Sequence, residues 1–237
     1  MKSFGTIVPS SNVMVERVTL AMTRDAPDVS PHFARFGFAG SSDSVVDDYH
    51  WPSMMGAAQL LADAHVELIC WNGSKGGELG FDRDRELCRR IEDEHGIAAV
   101  TSVLALDELL RGAGLNRLAF VTPFRQPVND KIVKGWSAAG YDCVASLGAG
   151  LSDNFSYSTM APDTLRDMAR QVSAAKPDAI LYYCTNLPGA WLCTAMEQEL
   201  GIPVLDSVAA GVWKSLSALG KADGLAPVWG QLLRQPL

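Results

Sequence analysis

Two stretches of the chain follow the same pattern: Leu68-Ile69-Cys70-Trp71-Asn72-Gly73-Ser74 and Ile180-Leu181-Tyr182-Tyr183-Cys184-Thr185-Asn186. Each is an apolar run that ends in polar residues, which is typical of a buried strand followed by a loop. After each run an amphipathic segment ends at a glycine, and a serine stands six residues later: Gly96 and Ser102 in the first copy, Gly201 and Ser207 in the second. The repetition favours a duplicated α/β unit with a pseudo-twofold axis. The alternative is that any two such units look alike.

The rest of the chain alternates short β-rich runs with amphipathic helical segments. The predicted strands are Gly5–Pro9, His32–Phe38, Val66–Trp71, Ile97–Thr101, Arg117–Thr122, Asp142–Ser146, Ala179–Tyr183 and Pro203–Leu205. Alternation of this kind indicates parallel βαβ units. We predict an N-terminal α/β domain over residues 1–113, which residues 208–237 could complete, and a C-terminal α/β domain over residues 114–207.

Composition favours a soluble, compact protein. The chain has 237 residues, 27 acidic against 20 basic, a net charge of −7 and 48% hydrophobic residues. Net acidity without a Lys/Arg cluster argues against a nucleic-acid or anionic-membrane partner. No apolar run approaches the roughly 20 residues that span a bilayer, and the opening residues lack the apolar stretch of a secretory signal. We expect a cytoplasmic protein with no nucleic-acid and no membrane partner, and a homo-oligomer remains open.

Cysteine and histidine usage argues against disulfides and metals. The chain has five cysteines, without a CxxC pair, and four histidines that stand apart from one another. An odd number of unpaired cysteines does not resemble a disulfide framework, and neither residue type has the spacing of metal ligands. We therefore expect reduced thiols and no metal.

Cys184 is the strongest candidate for chemistry. It stands just past a predicted strand, and the loops after parallel strands form the ligand crevice of such sheets. Asn186 or Leu187 would cap a following helix, with Pro188 in its first turn, and a helix N-terminus favours the thiolate over a reference pKa of about 8.5. We predict that Cys184 exchanges a proton near neutral pH. The alternative, a buried cysteine that packs as a small hydrophobe, is preferred for Cys193.

The other loops at the predicted crevice carry neutral hydrogen-bond donors. Ser10, Ser11 and Asn12 follow the first strand, and Asn72-Gly73-Ser74-Lys75-Gly76-Gly77 follows the third. Glycines let backbone amides turn inward into a nest that suits a carboxylate, and the spacing of phosphate-binding loops is absent. A small carboxylate is therefore favoured over a nucleotide. The alternatives are helix capping by Ser10–Asn12, a flexible surface turn at the glycines, and a solvated Lys75 rather than one that adds charge to the pocket.

The opening of the chain resembles that of maleate cis-trans isomerases: Gly5-x-Ile7-Val8-Pro9-Ser10-Ser11-Asn12-x-x-x-Glu16. That family belongs to the Asp/Glu racemase superfamily, together with arylmalonate decarboxylases. Further similarities are Val121-Thr122-Pro123-Phe124, Ser152-Asp153-Asn154 ahead of Pro162, and the strand-end Cys184. The resemblance spans nearly the whole chain. It implies an α/β fold of two pseudo-symmetric flavodoxin-like domains, each a doubly wound parallel sheet, with a cofactor-free active site between them.

The resemblance also assigns roles by position. It implies that Asn12 binds a carboxylate, that Ser74 and neighbouring amides hold an oxyanion, and that Cys184 is the catalytic acid/base. The full set of expected substrate-binding residues is Ser10, Asn12, Asn72, Gly73, Ser74, Phe124, Asn154, Thr185 and Asn186. Asn72 stands where racemases and maleate isomerases have a first cysteine, and a neutral amide cannot exchange a proton. Phe124 stands where a Tyr hydroxyl commonly donates.

We therefore predict a cofactor-independent enzyme that acts on a small carboxylate or dicarboxylate through an enolate-like intermediate protonated by one cysteine. A malonate-type decarboxylase is preferred because arylmalonate decarboxylases likewise keep only the second cysteine. On this reading Asn72→Cys would supply a second acid/base. The alternatives are a maleate-type cis-trans isomerase or an Asp/Glu-type racemase with Cys70 as the second thiol, a non-catalytic carboxylate-binding relative, and a hydrolase that uses Ser74 beside Lys75.

Overall fold

Two parallel sheets form the centre of the computed structural model, which describes residues 1–38 and 48–234. The first sheet has the order β2-β1-β3-β4 and contains β1 (Lys2–Pro9), β2 (Val29–Phe36), β3 (Ile69–Trp71) and β4 (Ala99–Thr101). The second has the order β6-β5-β7-β8 and contains β5 (Arg117–Phe124), β6 (Asp142–Leu151), β7 (Ala179–Tyr182) and β8 (Val204–Asp206). The two orders correspond strand for strand. Each predicted strand is present, with ends that differ by a few residues, and the predicted α/β class is confirmed.

Helices flank both sheets. They are α1 (Met14–Met22), α2 (Trp51–Asp63), α3 (Gly76–Leu79), α4 (Phe81–His95), α5 (Ser102–Gly112), α6 (Gln126–Ala138), α7 (Asn154–Tyr157), α8 (Pro162–Ser173), α9 (Cys193–Leu200) and α10 (Ser207–Ala218). Short 3-10 turns lie at Ala190–Leu192, Ala222–Gly224, Pro227–Trp229 and Gln231–Arg234. None of the helices in the described ranges is long and apolar enough to cross a bilayer.

The repeated glycine and serine positions mark equivalent helix boundaries. Gly96 (φ 66°) caps the C-terminus of α4, and Gly201 (φ 71°) caps that of α9. Both residues adopt the left-handed conformation that glycine reaches without steric cost. The serines are the first residues of α5 and α10. The repeated spacing from glycine to serine therefore indicates that both halves contain the same order of helix, strand and helix.

Strand register shows which residues of the two copies correspond. Trp71 of β3 pairs with Thr101, whose side chain caps α5 by accepting from the N–H of Leu104. Tyr182 of β7 pairs with Asp206, whose side chain caps α10. Such caps satisfy N–H groups that have no partner within the helix. Trp71 and Tyr182 therefore occupy equivalent positions.

The residues that follow Trp71 and Tyr182 correspond one position away from the pairing that the repeated sequences suggest. Asn72 corresponds to Tyr183, and Gly73 corresponds to Cys184. The two repeated stretches of sequence set Asn72 opposite Cys184, because their apolar runs look alike when they are shifted by one position. Register decides the question since a shift of one residue moves each side chain to the opposite face of the sheet.

The two halves pack closely against each other. The ring of Phe81 meets that of Trp136 edge to face, with 5.0 Å between centroids. The backbones also touch, because a Cβ added at Gly135 would lie 2.0 Å from the carbonyl oxygen of Gly77. α10, which follows the last strand of the second sheet, packs on α1 and α5 of the first half. The predicted domain boundaries stay a prediction.

Candidate active site

A cavity of about 390 Å³ lies where the carboxyl ends of both sheets meet. Loops from both halves reach it: Asn12 after β1, Gly73 after β3, Phe124 at the end of β5 and Cys184 after β7. Aromatic rings make up much of the remaining wall: Phe36, Phe38, Tyr49, Trp71 and Tyr157. This placement agrees with the location of ligand crevices in parallel α/β sheets.

Cys184 is the only cysteine that lines the cavity among the described residues. The residue is only 4% exposed, and its Sγ accepts a hydrogen bond from the N–H of Asn186 at 3.4 Å. Burial raises the pKa of the Cys184 thiol to about 12, although the bond from Asn186 acts in the opposite direction. The thiol is therefore protonated at neutral pH and is a proton donor.

The prediction of a helix directly after Cys184 is wrong. Residues 185–189 form turns instead, in which the N–H of Leu187 bonds the carbonyl of Cys184. A 3-10 turn begins at Ala190, and α9 begins only at Cys193. Pro188 thus precedes the helix by several residues and does not start it. Because the thiol lies away from a helix N-terminus, burial dominates its pKa and moves it upward.

The glycine-rich loop borders the cavity. Gly73, Ser74 and Lys75 line the wall, and within the described chain their N–H groups have no protein acceptor. The phenol of Tyr183 fixes the loop by donating to the carbonyl oxygen of Ser74 at 2.8 Å. Consecutive free N–H groups beside a cavity can bind a carboxylate or an oxyanion.

Tight packing holds this loop in place. A Cβ added at Gly76 would lie 2.1 Å from the Asp84 carboxylate, and one added at Gly77 would lie 1.9 Å from the Tyr183 hydroxyl. Both glycines are buried in the first turn of α3. The flexible surface turn that was the alternative for these glycines does not describe their surroundings.

Trp71 covers the position that corresponds to Cys184. A Cβ added at Gly73 would lie 2.1 Å from Cζ2 of the indole, so a side chain cannot be placed there unless Trp71 moves. The indole N–H donates to the Tyr49 hydroxyl at 3.2 Å, and that hydroxyl donates to the buried Asp84 carboxylate. Burial raises the pKa of Asp84 to about 6. The indole is thus fixed by a hydrogen-bond chain that reaches α4.

Asn72 and Cys70 are not part of the cavity wall in the described structure. Cys70 lies in β3 and Asn72 directly follows it, and alternation along the strand places both side chains on one face. That face packs on α10. The Asn72 amide donates to the carbonyl of Val208 at 3.2 Å and accepts from Ser102. The Cys70 thiol points to the carbonyl of Gly211. The structure therefore removes Asn72 from the substrate-contact set and Cys70 from the candidates for a second thiol.

The asparagine side chains predicted to bind substrate connect the two halves. Asn12 lines the cavity, but its amide donates to the carbonyl of Thr185 at 2.9 Å and its oxygen accepts from the first N–H groups of α1. The Asn186 oxygen accepts from the N–H of Val13 at 3.0 Å, and its amide donates to the carbonyl of Asn154. These bonds position the strand-end loops. Asn186 lies behind the wall within the described chain.

Some of the remaining predicted residues line the cavity, and one does not. Asn154, Phe124 and Thr185 line the cavity, and the Asn154 amide donates to Ser11 at 2.6 Å. Ser10 lies outside the wall in the described part of the chain, and its hydroxyl accepts from the N–H of Phe38. The Ser10–Asn12 segment therefore makes structural contacts, with Asn12 alone reaching the cavity.

The structure adds wall residues that the sequence did not indicate. Tyr157 brings a phenol to the wall and packs edge to face on Phe124, with ring centroids 5.4 Å apart. Trp71 and Tyr49 face them from the first half. Trp71 directly precedes the polar loop residues, and its position at the end of a predicted strand was the one available signal. Among the described residues, no group of three or more His, Cys, Asp or Glu side chains could hold a metal.

Asp206 gives the fold a specific pH dependence. It is 1% exposed, its Oδ1 accepts from the N–H groups of Val208 and Ala209, and burial raises its pKa to about 7 from an ordinary value of 3.8. The folded state therefore binds this proton more tightly than the unfolded chain does. The stability that protonated Asp206 adds to the folded state is fully present below pH 3.8 and is lost as pH rises through about 7.

We expect the free energy of unfolding to fall with rising pH in this window, with a slope of up to about 1.4 kcal/mol per pH unit from this group. Asp206→Asn retains a side-chain oxygen for the cap and removes the titration. Urea unfolding at pH 5 and pH 8 measures the difference. Equal pH dependence in the wild type and the variant would contradict the assignment.

The sequence matches the arylmalonate decarboxylase family over residues 41–233, most of the chain. The chain belongs to this family. Arylmalonate decarboxylase from Bordetella bronchiseptica is 25% identical over 83% of this chain and 79% of the relative. A maleate isomerase of Nocardia farcinica is 27% identical over 99% of this chain and 96% of the relative.

Solved structures agree with both similarities. A cysteine-to-serine variant of the maleate cis-trans isomerase of Nocardia farcinica, with a covalently bound succinylcysteine intermediate, superposes with a TM-score of 0.88. It is 25% identical and covers 100% of this chain and 99% of that chain. The resemblance inferred from the opening segment is confirmed, and membership of the arylmalonate decarboxylase family makes the protein an enzyme of the lyase or isomerase kind.

Proposed function

We propose that the protein decarboxylates a malonate-type dicarboxylate through an enediolate that Cys184 protonates from one side. The observation that carries this proposal is the asymmetry of the cavity wall. One buried thiol faces the cavity, and its counterpart Gly73 has no side chain and is covered by Trp71. Chemistry that needs one proton donor fits this arrangement, whereas a two-base reaction lacks its second group.

The proposed step balances without a cofactor. The bond from the α-carbon to one carboxylate breaks, carbon dioxide leaves, and the electron pair forms the carbon–carbon double bond of an enediolate. The Cys184 thiol then gives its proton to the α-carbon, which leaves the monocarboxylate product and a thiolate. Solvent returns a proton to the thiolate, and the high pKa of the thiol favours that return.

The wall also fits the charges and the shape of this reaction. The free N–H groups of Gly73, Ser74 and Lys75 supply donors where the enediolate gains negative charge. Phe36 and Trp71 offer apolar surface for a substituent and for the departing carboxylate, which reacts faster outside water. An aryl group on the malonate is therefore the substituent we favour.

Turnover in D₂O tests the proposal. The substrate is a prochiral malonate with one aryl and one alkyl substituent, and the readouts are released carbon dioxide, deuterium at the α-carbon and the enantiomeric ratio. We expect one deuterium per product molecule and a single enantiomer, because the proton comes from one side. Racemic product, or racemisation of an added single enantiomer of the product, would contradict the one-thiol mechanism.

A second candidate is cis-trans isomerisation of a maleate-type substrate, favoured by the full-length likeness to maleate isomerases. That reaction adds a thiol sulfur to the double bond, for which a protonated, buried Cys184 is poorly prepared. Adding maleate to the same assay separates the two, since fumarate would appear without loss of carbon dioxide. Binding of both acids without turnover would favour a non-catalytic relative.

A further inference from the structure

Lys75 and Glu78 form an ion pair in the cavity wall. Lys75 is the only lysine or arginine that lines the cavity among the described residues. Its ammonium donates to the Glu78 carboxylate at 2.7 Å, and the two side chains are only 26% and 9% exposed. A lysine in this position is not the solvated turn residue that its sequence context also allowed.

The Lys75 ammonium keeps hydrogen-bond donors that the ion pair does not use. An ammonium has three N–H donors, and within the described chain Glu78 is the one partner of Lys75. Two donors therefore remain for a ligand. The same loop carries the free N–H groups of Gly73, Ser74 and Lys75, so the backbone donors and the side-chain cation belong to one rigid segment.

The other charged or ionisable residues described at the cavity wall do not offer an anion a buried cation. Asp48 lies at the wall, but Arg83 neutralises it at 3.5 Å and the Trp51 indole donates to it at 3.2 Å. His50 also reaches the wall and is exposed. An anion that enters the cavity therefore meets the partly buried Lys75 ammonium, with the Glu78 carboxylate beside it.

We infer that Lys75, held in place by Glu78, binds the carboxylate that the product retains and stabilises the charge that develops on it. This inference rests on the proposed function. In decarboxylation the charge on the retained carboxylate rises from one to two as the enediolate forms. A cation there acts more strongly in the transition state than on the bound substrate, whereas a cation on the departing carboxylate would oppose its loss.

Glu78 is a positioning residue in this arrangement. Its carboxylate orders the flexible lysine side chain, which otherwise loses rotamer freedom on binding a ligand. Its negative charge also repels the bound carboxylate. The two members of the pair should therefore affect anion affinity with opposite signs, which an ion pair that only stabilises the fold would not do.

Binding of phenylacetate, a product-like monocarboxylate, tests the inference without turnover. Calorimetry compares the wild type with Lys75→Gln, Lys75→Arg and Glu78→Gln, and benzyl alcohol is the uncharged control ligand. Lys75→Gln should weaken phenylacetate binding about 10-fold to 100-fold, and Lys75→Arg should restore part of it. Glu78→Gln retains an acceptor for Lys75, removes the competing charge, and should tighten binding several-fold.

The outcomes separate this inference from the proposed function. Unchanged phenylacetate affinity in Lys75→Gln, or weaker binding in both neutral variants, would overturn the role of Lys75. An equal loss of benzyl alcohol binding would also overturn it, because the variant would then act on cavity shape. The remaining outcome is that Lys75→Gln weakens and Glu78→Gln tightens phenylacetate binding, while the wild type releases no carbon dioxide from an arylmalonate. That result would support the carboxylate site and contradict decarboxylation.

Discussion

Cys184→Ala is expected to lower turnover by about 10²-fold to 10⁴-fold while leaving the fold intact, because it removes the proton donor from the cavity wall. Its side chain packs at the edge of an existing cavity, so truncation adds little new void. The measurement pairs steady-state rates with the urea midpoint. The rate of the wild type should not fall through loss of the thiol proton below about pH 9, since the pKa of Cys184 is about 12.

Cys193→Ala is the matched control. Cys193 is fully buried at the start of α9, and its thiol points to the carbonyl of Gly189. We expect a loss of about 1 kcal/mol or more in unfolding free energy with the rate per folded molecule unchanged. Full activity in Cys184→Ala would remove Cys184 from the mechanism. A rate that rises steeply as the thiol ionises would contradict its role as the proton donor.

The second large effect concerns Gly73 and Trp71. We expect Gly73→Cys alone to be destabilised and to produce no racemisation, because the new side chain collides with the indole. Trp71→Ala combined with Gly73→Cys opens the space and places a thiol at the position equivalent to Cys184. A group that can exchange a proton on the second side should then racemise the product and exchange its α-proton.

Two variants control this experiment. Trp71→Ala alone reports the cost of losing the indole, and Asn72→Cys places a thiol one residue earlier, where the side chain faces α10. Only the double variant should exchange deuterium into the product with racemisation. Exchange in Gly73→Cys alone as fast as in the double variant would show that the indole is no obstacle. Exchange in Asn72→Cys would restore the pairing that the sequence comparison suggested.

The strands and the general position of the site were predictable because their signals are local. Apolar runs, the glycines that end α4 and α9, and the serines that start α5 and α10 all report backbone conformation within a few residues. The strand-end location of Cys184 followed from the same pattern. Register was not local, and the resulting error of one residue made Asn72, rather than its neighbour Gly73, the counterpart of Cys184.

The roles of the polar residues depended on contacts across the two halves. Asn12 meets Thr185, and Asn186 meets the start of α1, at separations of more than 170 positions. The pKa of Cys184 reflects burial by both halves, and a local helix signal after it predicted the opposite direction. The pair of Lys75 and Glu78 was visible as a spacing of three, but its enclosure was not.

The position of α10 constrains the order in which the protein can fold. This helix begins at residue 207, yet it contacts Cys70 of β3 and Asn72 directly after it, at separations of 141 and 136 positions. Pairings over such long sequence separations close large loops, which slows folding. During synthesis the first sheet emerges with that face of β3 uncovered, and it stays so until α10 has been made. Folding of the first half is therefore completed by the last long helix of the chain.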